Sequence, residues 1–243
     1  MRIRIAQLCV RQAMAANKER VLAVLESARH SEWVVFPEGV LSGYFPDSDE
    51  YLKNLDADAI EWGIHEIQRE VERRQCNCLF GTATFTNGKW QNSVVLLSSS
   101  GERYTYHKIG LSALDRKHFT PGAKTTPYSV GDLKIGIQVC RELLFPQSWI
   151  DLKTEGAQVV FHINNAIKPH DQVWEHVLIA RAVEHGIFVC SVNNGSHPQT
   201  LASYLIAPSG KVILRTETQQ DQILSAEISL SEVIADLTRR TDY

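Results

Sequence analysis

The chain has 243 residues, of which 44% are hydrophobic and 22% charged, with a formal net charge of -3. That composition is ordinary for a globular protein and long enough to bury a full core without staples. The balance favours no nucleic acid and no anionic membrane as partner, and short basic runs such as Arg73-Arg74 read as solvated helix faces. Five cysteines, at positions 9, 76, 78, 140 and 190, form an odd count in a chain that is not small, which argues against a disulfide framework. Cys76 and Cys78 are separated by a single residue and lack the spacing of a redox or zinc knuckle. Gln7 and Arg11 interrupt the N-terminal apolar stretch, so no signal peptide is read, and no run approaches the roughly 18 apolar residues of a membrane span. The expectation is one domain over residues 1–243, with free thiols in a reducing cytoplasm.

In chain order, residues 3–10 form the first strand-like run. Asn17 is a candidate cap for a helix to about residue 30, with Val21, Leu22, Val24, Leu25 and Ala28 on or near one face. Residues 33–36 form a second strand. A longer helix follows over 57–75, where Ile60, Ile64, Ile67 and Val71 recur at spacings of three or four. Strands at 78–85 and 93–98 flank Asn87-Gly88, a hairpin-type turn. The runs 133–139, 158–163 and 187–192 are further strands, and a helix over 171–184 stops before Gly186. Strands at 204–207 and 211–215 meet at the turn Ser209-Gly210, and 222–228 completes the series. Strands alternating with helices indicate a layered α/β fold with added hairpins.

Three strand ends carry unusual residues. The strand at 33–36 runs directly into Pro37-Glu38-Gly39, where Pro stiffens the backbone and Gly allows a sharp exit. Ligands in open α/β sheets bind at such carboxyl ends. Leu133, Ile135, Ile137 and Val139 alternate with polar or small residues until Cys140 leaves the strand, followed by Arg141 and Glu142. A thiol beside an arginine is placed to lose its proton, whereas Cys190, inside an apolar run, reads as core. Lys108 follows Tyr104, Tyr106 and His107, which predicts partial desolvation. Taken singly, Glu38 reads more readily as a solvated loop acid and Lys108 as a snorkelling surface lysine, the usual case.

Together, and in this order, the segments resemble the nitrilase superfamily of carbon–nitrogen hydrolases. The resemblance rests on Phe36-Pro37-Glu38 with Gly43-Tyr44, on Tyr106-His107-Lys108-Ile109 with Phe119-Thr120-Pro121-Gly122, and on Val139-Cys140-Arg141-Glu142 with Phe145-Pro146. Asn92-Ser93, Trp174, the run 181–185 leading to Asn193, Ser203 and Pro208-Ser209-Gly210 extend it from residue 3 to about 230. It implies a four-layer α-β-β-α sandwich of two mixed β-sheets flanked by helices, often paired into a homodimer. It implies Cys140 as nucleophile, Glu38 as general base, and Lys108 with the Arg141 N–H as donors to an oxyanion, without metal or cofactor. Tyr44, Asn164 and Asn165 join Arg141 as candidate substrate-binding or supporting residues. Many family members carry a second glutamate before the Phe-Thr-Pro-Gly turn. The matching position holds Asp115, with Glu142 as the alternative supporting carboxylate, and on the resemblance a glutamate at 115 would preserve activity.

Arg141 follows the cysteine where enzymes acting on nitriles often carry Trp, which favours a small amide as substrate. Leu143 and Leu144 stand where relatives acting on N-carbamoyl amino acids carry adjacent arginines, which argues against a carboxylate clamp. Two other classes stay open: a catalytically silent relative acting in binding or assembly, and a papain-like hydrolase using His162 or His185. Nine histidines are present, but none pairs at the four-residue spacing of a helical metal site.

Overall fold

The computed structural model describes residues 1–166 and 170–233. The expected domain span also includes 167–169 and 234–243, which lie outside the described residues. Twelve strands and four α-helices are present among the described residues. The first sheet has the order β12-β1-β2-β3-β4-β5 and the second β11-β10-β9-β8-β7-β6. The strands of the first are β1 (Arg2–Gln7), β2 (Glu32–Val35), β3 (Asn77–Thr86), β4 (Lys89–Leu97), β5 (Arg103–His107) and β12 (Gln222–Glu227). Those of the second are β6 (Tyr128–Val130), β7 (Leu133–Val139), β8 (Val159–Asn164), β9 (Phe188–Asn193), β10 (Tyr204–Ile206) and β11 (Val212–Arg215). In each sheet three central strands run parallel, β1-β2-β3 and β7-β8-β9, and antiparallel strands close the flanks.

Three apolar layers follow from side-chain alternation. Helices α1 (Met14–Glu26) and α2 (Ala57–Arg74) cover the outer face of the first sheet, where Val21, Leu25, Ile64 and Ile67 meet Val34, Phe36 and Phe80. Between the sheets, Ile3, Ile5, Val35 and Leu79 meet Ile137, Phe161 and Val192, and the rings of Trp33 and Phe161 stack at 5.5 Å. Helices α3 (Pro146–Thr154) and α4 (His170–His185) cover the second sheet through Trp149, Leu152, Trp174 and Leu178. The fold is therefore the expected α-β-β-α sandwich of two mixed sheets.

Local details depart from the sequence reading. Asn17 does not cap α1. It lies one turn inside, where its buried amide bonds both the N–H and the carbonyl of Arg11. The cap of α2 is Asp56, which accepts from Asp58 and Ala59 N–H at 3.0 Å each. The turn at Asn87-Gly88 has positive φ at both residues (53° and 75°), the conformation a two-residue hairpin requires.

Candidate active site

Glu38, Lys108 and Cys140 leave three different strands. Phe36 N–H still bonds Leu79, continuing the β2 ladder, and the chain then crosses β3, where Gly81 N–H donates to the Pro37 carbonyl. Gly39 takes a φ of +63°, the sharp exit the sequence predicts, and Glu38 is held with its side chain fully buried. Lys108 directly follows β5, its N–H donating to the Asn92 carbonyl at 2.8 Å and its own carbonyl accepting the Gly122 N–H at 2.9 Å. A Cβ at Gly122 would sit 2.1 Å from the His107 oxygen, so the Phe-Thr-Pro-Gly turn closes over Lys108 only with glycine there. Cys140 opens a five-residue 3-10 turn after β7 with a φ of +52°, a left-handed conformation that strains any residue with a Cβ.

The lysine sits between two carboxylates. Its Nζ donates to Glu38 Oε1 and to Asp115 Oδ2, each at 2.9 Å, and lies 5.9 Å from the centre of the Tyr44 ring. Burial opposes the charge on Lys108, but Glu38, then Cys140 and Asp115, raise its pKa above the ordinary value and keep it cationic. Asp115 accepts from four donors. Tyr44 Oη (2.6 Å) and Asn92 Nδ2 (3.4 Å) reach Oδ1, while Lys108 and the Ser112 N–H (2.9 Å) reach Oδ2. Desolvation works against its ionisation, yet Lys108 and Tyr44 outweigh it and bring the Asp115 pKa down to about 2.

Glu38 is different. Asn92 Nδ2 donates to Oε1 at 2.7 Å, whereas the buried Oε2 has no hydrogen-bond partner among the described residues. Desolvation raises its pKa, Lys108 lowers it, and the nearby charge of Asp115 adds to the rise, leaving it above the usual carboxylate value. Such a group is a competent proton acceptor with one oxygen free.

Cys140 is partly buried and interacts electrostatically with Glu38, Lys108 and Asp115, which brings the sequence-distant residues into one site. Its thiol does not behave as the sequence suggests. Burial first, then Glu38, pushes the pKa up to about 12 against the pull of Lys108 and of the Asn165 backbone N–H. Arg141 does not activate it. The 3-10 turn swings that guanidinium onto the Leu111 carbonyl at 3.0 Å and over the Phe145 ring at 5.6 Å.

The other nominated residues divide clearly. Tyr44 and Asp115 lie in the site. Glu142 makes no ion pair with Lys108, whose ion-pair partners among the described residues are Glu38 and Asp115. Its Oε1 accepts from Ile109 and Gly110 N–H and its Oε2 from Tyr106 Oη and Val139 N–H, so it braces the lysine strand against the cysteine turn. Asn164 turns its amide away from the thiol, donating to His162 and Ser191, because strand alternation sends it to the helix side of β8. Asn165 faces the sulfur with its backbone N–H, and its side-chain oxygen accepts from Asn194 and Gln199. Asn92 donates to both carboxylates, a role that its place in the resemblance, Asn92-Ser93, marks only as a motif residue. His162 bonds the Cys140 carbonyl rather than its sulfur, and His185 stacks on Trp149 at 6.4 Å, so neither fits a papain-like base. Among the described residues no group of three or more metal-binding side chains occurs, and no helix is long and apolar enough to cross a membrane.

A partly buried thiol, an acid with one free oxygen and a lysine locked between carboxylates meet in one site. The chain belongs to the carbon-nitrogen hydrolase family, whose model matches residues 2–236. It is 28% identical to an (R)-stereoselective amidase from a Pseudomonas species, over 100% of this chain and 89% of that protein. It is 26% identical to a 2-oxoglutaramate amidase from Bacillus subtilis, over 88% of this chain and 85% of the other. Among solved structures, an amidase from a Nesterenkonia species superposes with a TM-score of 0.84 at 20% identity, covering 98% of this chain and 95% of that one. A variant of that amidase, caught with acrylamide added to its active-site cysteine, superposes at 0.82 with 20% identity and 98% coverage of each chain.

Proposed function

We propose that this chain hydrolyses a small amide through a thioester on Cys140. The observation that carries the reading is the unpartnered, buried Oε2 of Glu38 in one site with the Cys140 thiol and a lysine fixed as a cation. The names of the amidase relatives support the substrate class, as does the active-site cysteine of the Nesterenkonia enzyme.

With burial pushing the thiol pKa up to about 12, the protonated thiol predominates at neutral pH. Proton transfer to Glu38 Oε2 therefore accompanies attack of Sγ on the carbonyl carbon. The carbonyl oxygen becomes an oxyanion against Lys108 Nζ and the Arg141 N–H. Arg141 is the second residue of the 3-10 turn, where backbone N–H groups lack an acceptor within the turn. When the carbon–nitrogen bond breaks, Glu38 returns the proton to the departing nitrogen, leaving the thioester. Water then gives a proton to Glu38 and attacks the thioester, and the carboxylic acid leaves as the thiol regains its proton. Each donor to the oxyanion is worth roughly 100- to 1,000-fold in rate.

A panel of amides, nitriles and N-carbamoyl compounds with ammonia detection, run on the wild type and Cys140→Ala, tests this. Ammonia from amides in the wild type alone is the expected result. Turnover by the alanine variant refutes it, and no turnover of any compound favours the silent-relative reading.

We read the chain as one domain working in the cytoplasm as a homodimer. Leu144, Phe145 and Ile150, at and within α3, and Val173 on the neighbouring α4 expose 46, 40, 45 and 57% of their surface. Apolar surface of that kind marks interaction sites. Light scattering is the check, and a 27.4 kDa monomer at micromolar concentration refutes the dimer.

A further inference from the structure

His162 lies on β8 with its side chain on the helix side of the sheet, its ring 6.4 Å from that of Trp149 and 6.2 Å from that of Trp174. Its Nε2 is 2.8 Å from the carbonyl oxygen of Cys140. A carbonyl only accepts, so the ring proton is on Nε2 and Nδ1 is left as an acceptor. Two donors meet it there, Ser191 Oγ and Asn164 Nδ2, each at 3.0 Å. Asn164 also donates to Ser191 Oγ at 2.9 Å, which directs the hydroxyl proton onto the ring. Burial brings the His162 pKa down to about 4, so the ring is a neutral, fixed donor at working pH.

The bond acts on one peptide group. In a trans peptide the carbonyl of Cys140 and the N–H of Arg141 point in opposite directions. Gripping the oxygen from the helix side therefore aims the N–H away from the helices, and donation to the oxygen also polarises the N–H. Other groups hold the rest of the turn. Trp149 Nε1 donates to the Glu142 carbonyl at 3.2 Å and Arg181 Nε to the Leu143 carbonyl at 3.3 Å. Because Cys140 sits at a φ of +52°, in the sparsely populated left-handed region, its peptide is held there by such restraints.

We infer that His162 is a positioning residue for the oxyanion: by holding the Cys140 carbonyl it points the Arg141 N–H at the oxygen of the tetrahedral intermediate. This rests on the cysteine mechanism proposed above. Asn164 and Ser191 serve the same end by setting the tautomer, which gives the buried amide of Asn164 a role away from substrate.

The test separates attack at carbonyl from attack elsewhere. His162→Leu removes the donor at similar volume, and His162→Gln restores an amide N–H at similar reach. Both are assayed on an amide that the wild type hydrolyses, and Cys140 is also modified with methyl methanethiosulfonate, a reaction at sulfur that forms no oxyanion. In the leucine variant kcat should fall about tenfold or more, within the roughly 100- to 1,000-fold that loss of a whole donor costs. KM and the rate of thiol modification should stay near wild type, and glutamine should recover much of kcat. Unchanged turnover in His162→Leu overturns the inference. So does a parallel loss of turnover and thiol modification without rescue by glutamine, because that marks a packing role. Should the leucine variant fail to fold, nitrogen NMR of the wild type decides: a neutral ring protonated on Nε2 supports the inference, and one protonated on Nδ1 overturns it. Activity in Cys140→Ala would sink the cysteine mechanism itself, whereas a dead alanine variant beside a normal His162→Leu would sink the positioning role alone.

Discussion

Asp115→Asn is the most informative single change. All four partners of the carboxylate are donors, two on each oxygen. An amide carries an oxygen and an NH2 group, so whichever way Asn is turned, the NH2 group faces at least one group that can only donate. One orientation sets it against Lys108 and the Ser112 N–H; the other sets it against the Asn92 amide and forces the Tyr44 hydroxyl to turn from donor to acceptor. At 2.9 Å and an effective dielectric constant near 20, the gross attraction between Asp115 and Lys108 is roughly 6 kcal/mol, most of it offset by desolvation. A net figure comes from the carboxylate itself. The fall of its pKa from 3.8 to about 2 corresponds to about 2 kcal/mol of preference for the charged form. If that preference is lost from the lysine when the oxyanion forms, kcat drops by roughly 30-fold. KM should move by less than about threefold, since the contact matters most in the transition state.

Stopped ammonia assays at saturating amide measure this, with thermal unfolding alongside. The folded pKa is depressed, so the carboxylate contributes its stability above the ordinary value of 3.8, and that contribution is lost as pH falls towards 2. Wild type should therefore exceed Asp115→Asn at neutral pH, and the two should converge in strong acid. A turnover number within about twofold of wild type would refute the reasoning. The same geometry revises an expectation from the family resemblance. Asp115 Oδ2 accepts the Ser112 N–H while the Asp115 N–H bonds Ser112 Oγ, a reciprocal turn that an added methylene disrupts. Asp115→Glu should lose activity, not preserve it.

Four further outcomes are expected. In Glu38→Gln, thiol modification of Cys140 should keep climbing through neutral and mildly alkaline pH, because burial holds the thiol pKa high; a plateau near neutrality refutes this. Wild-type turnover should fail on the acid side above the ordinary carboxylate pKa of 4.5, since the raised pKa of Glu38 leaves it protonated, and unable to accept a proton, as pH drops through it; a limb below 4 would contradict the burial argument. Cys140→Gly and Cys140→Ala should both be inactive, with glycine the more stable by about 1 kcal/mol because only it relaxes the left-handed φ; equal unfolding midpoints would remove the strain from the account. Ile150→Glu should shift light scattering towards monomer while the isolated chain stays folded, and an unchanged mass would move the interface elsewhere.

What the sequence revealed about the site was where chemistry leaves a strand. Glu38 and Cys140 each end an apolar run, and β2 and β7 are the strands that carry them. Lys108 was legible only through its motif, because β5 is half-exposed and shows no clean alternation. Direction was not legible. Whether Arg141 points at the sulfur or away from it depends on a 3-10 turn and a positive φ, and neither has a signature in Val-Cys-Arg-Glu. Choosing between Asp115 and Glu142 required knowing which backbone N–H groups surround each, since both are buried acids near a lysine. The short helix α3 shows too few turns for an apolar period to register, and Pro146 at its first position is its main start signal. The three-residue strand β6 has too few residues for any period to register.

The charges of the cluster account for why two carboxylates flank one lysine. With Glu38 ionised, the site holds two negative charges and one positive, and the thiol is neutral. On the proposed mechanism, attack moves a proton from sulfur to Glu38 and places the negative charge on the oxyanion. The total is unchanged, so no net charge is created or removed in a buried site, where an unpaired charge is costly. Lys108 merely exchanges one anionic neighbour, Glu38, for another, the oxyanion. Asp115 is the neighbour that does not change. Its pKa near 2 keeps it ionised through the cycle, so the lysine stays charged while Glu38 is protonated. A site with Glu38 alone would leave Lys108 without an anionic partner at any moment when Glu38 holds a proton and no oxyanion is present, as in the resting enzyme at low pH. The second carboxylate thus acts less on substrate than on the lysine, and Tyr44 and Asn92, by donating to the oxygen that Lys108 leaves free, keep its charge where that lysine needs it.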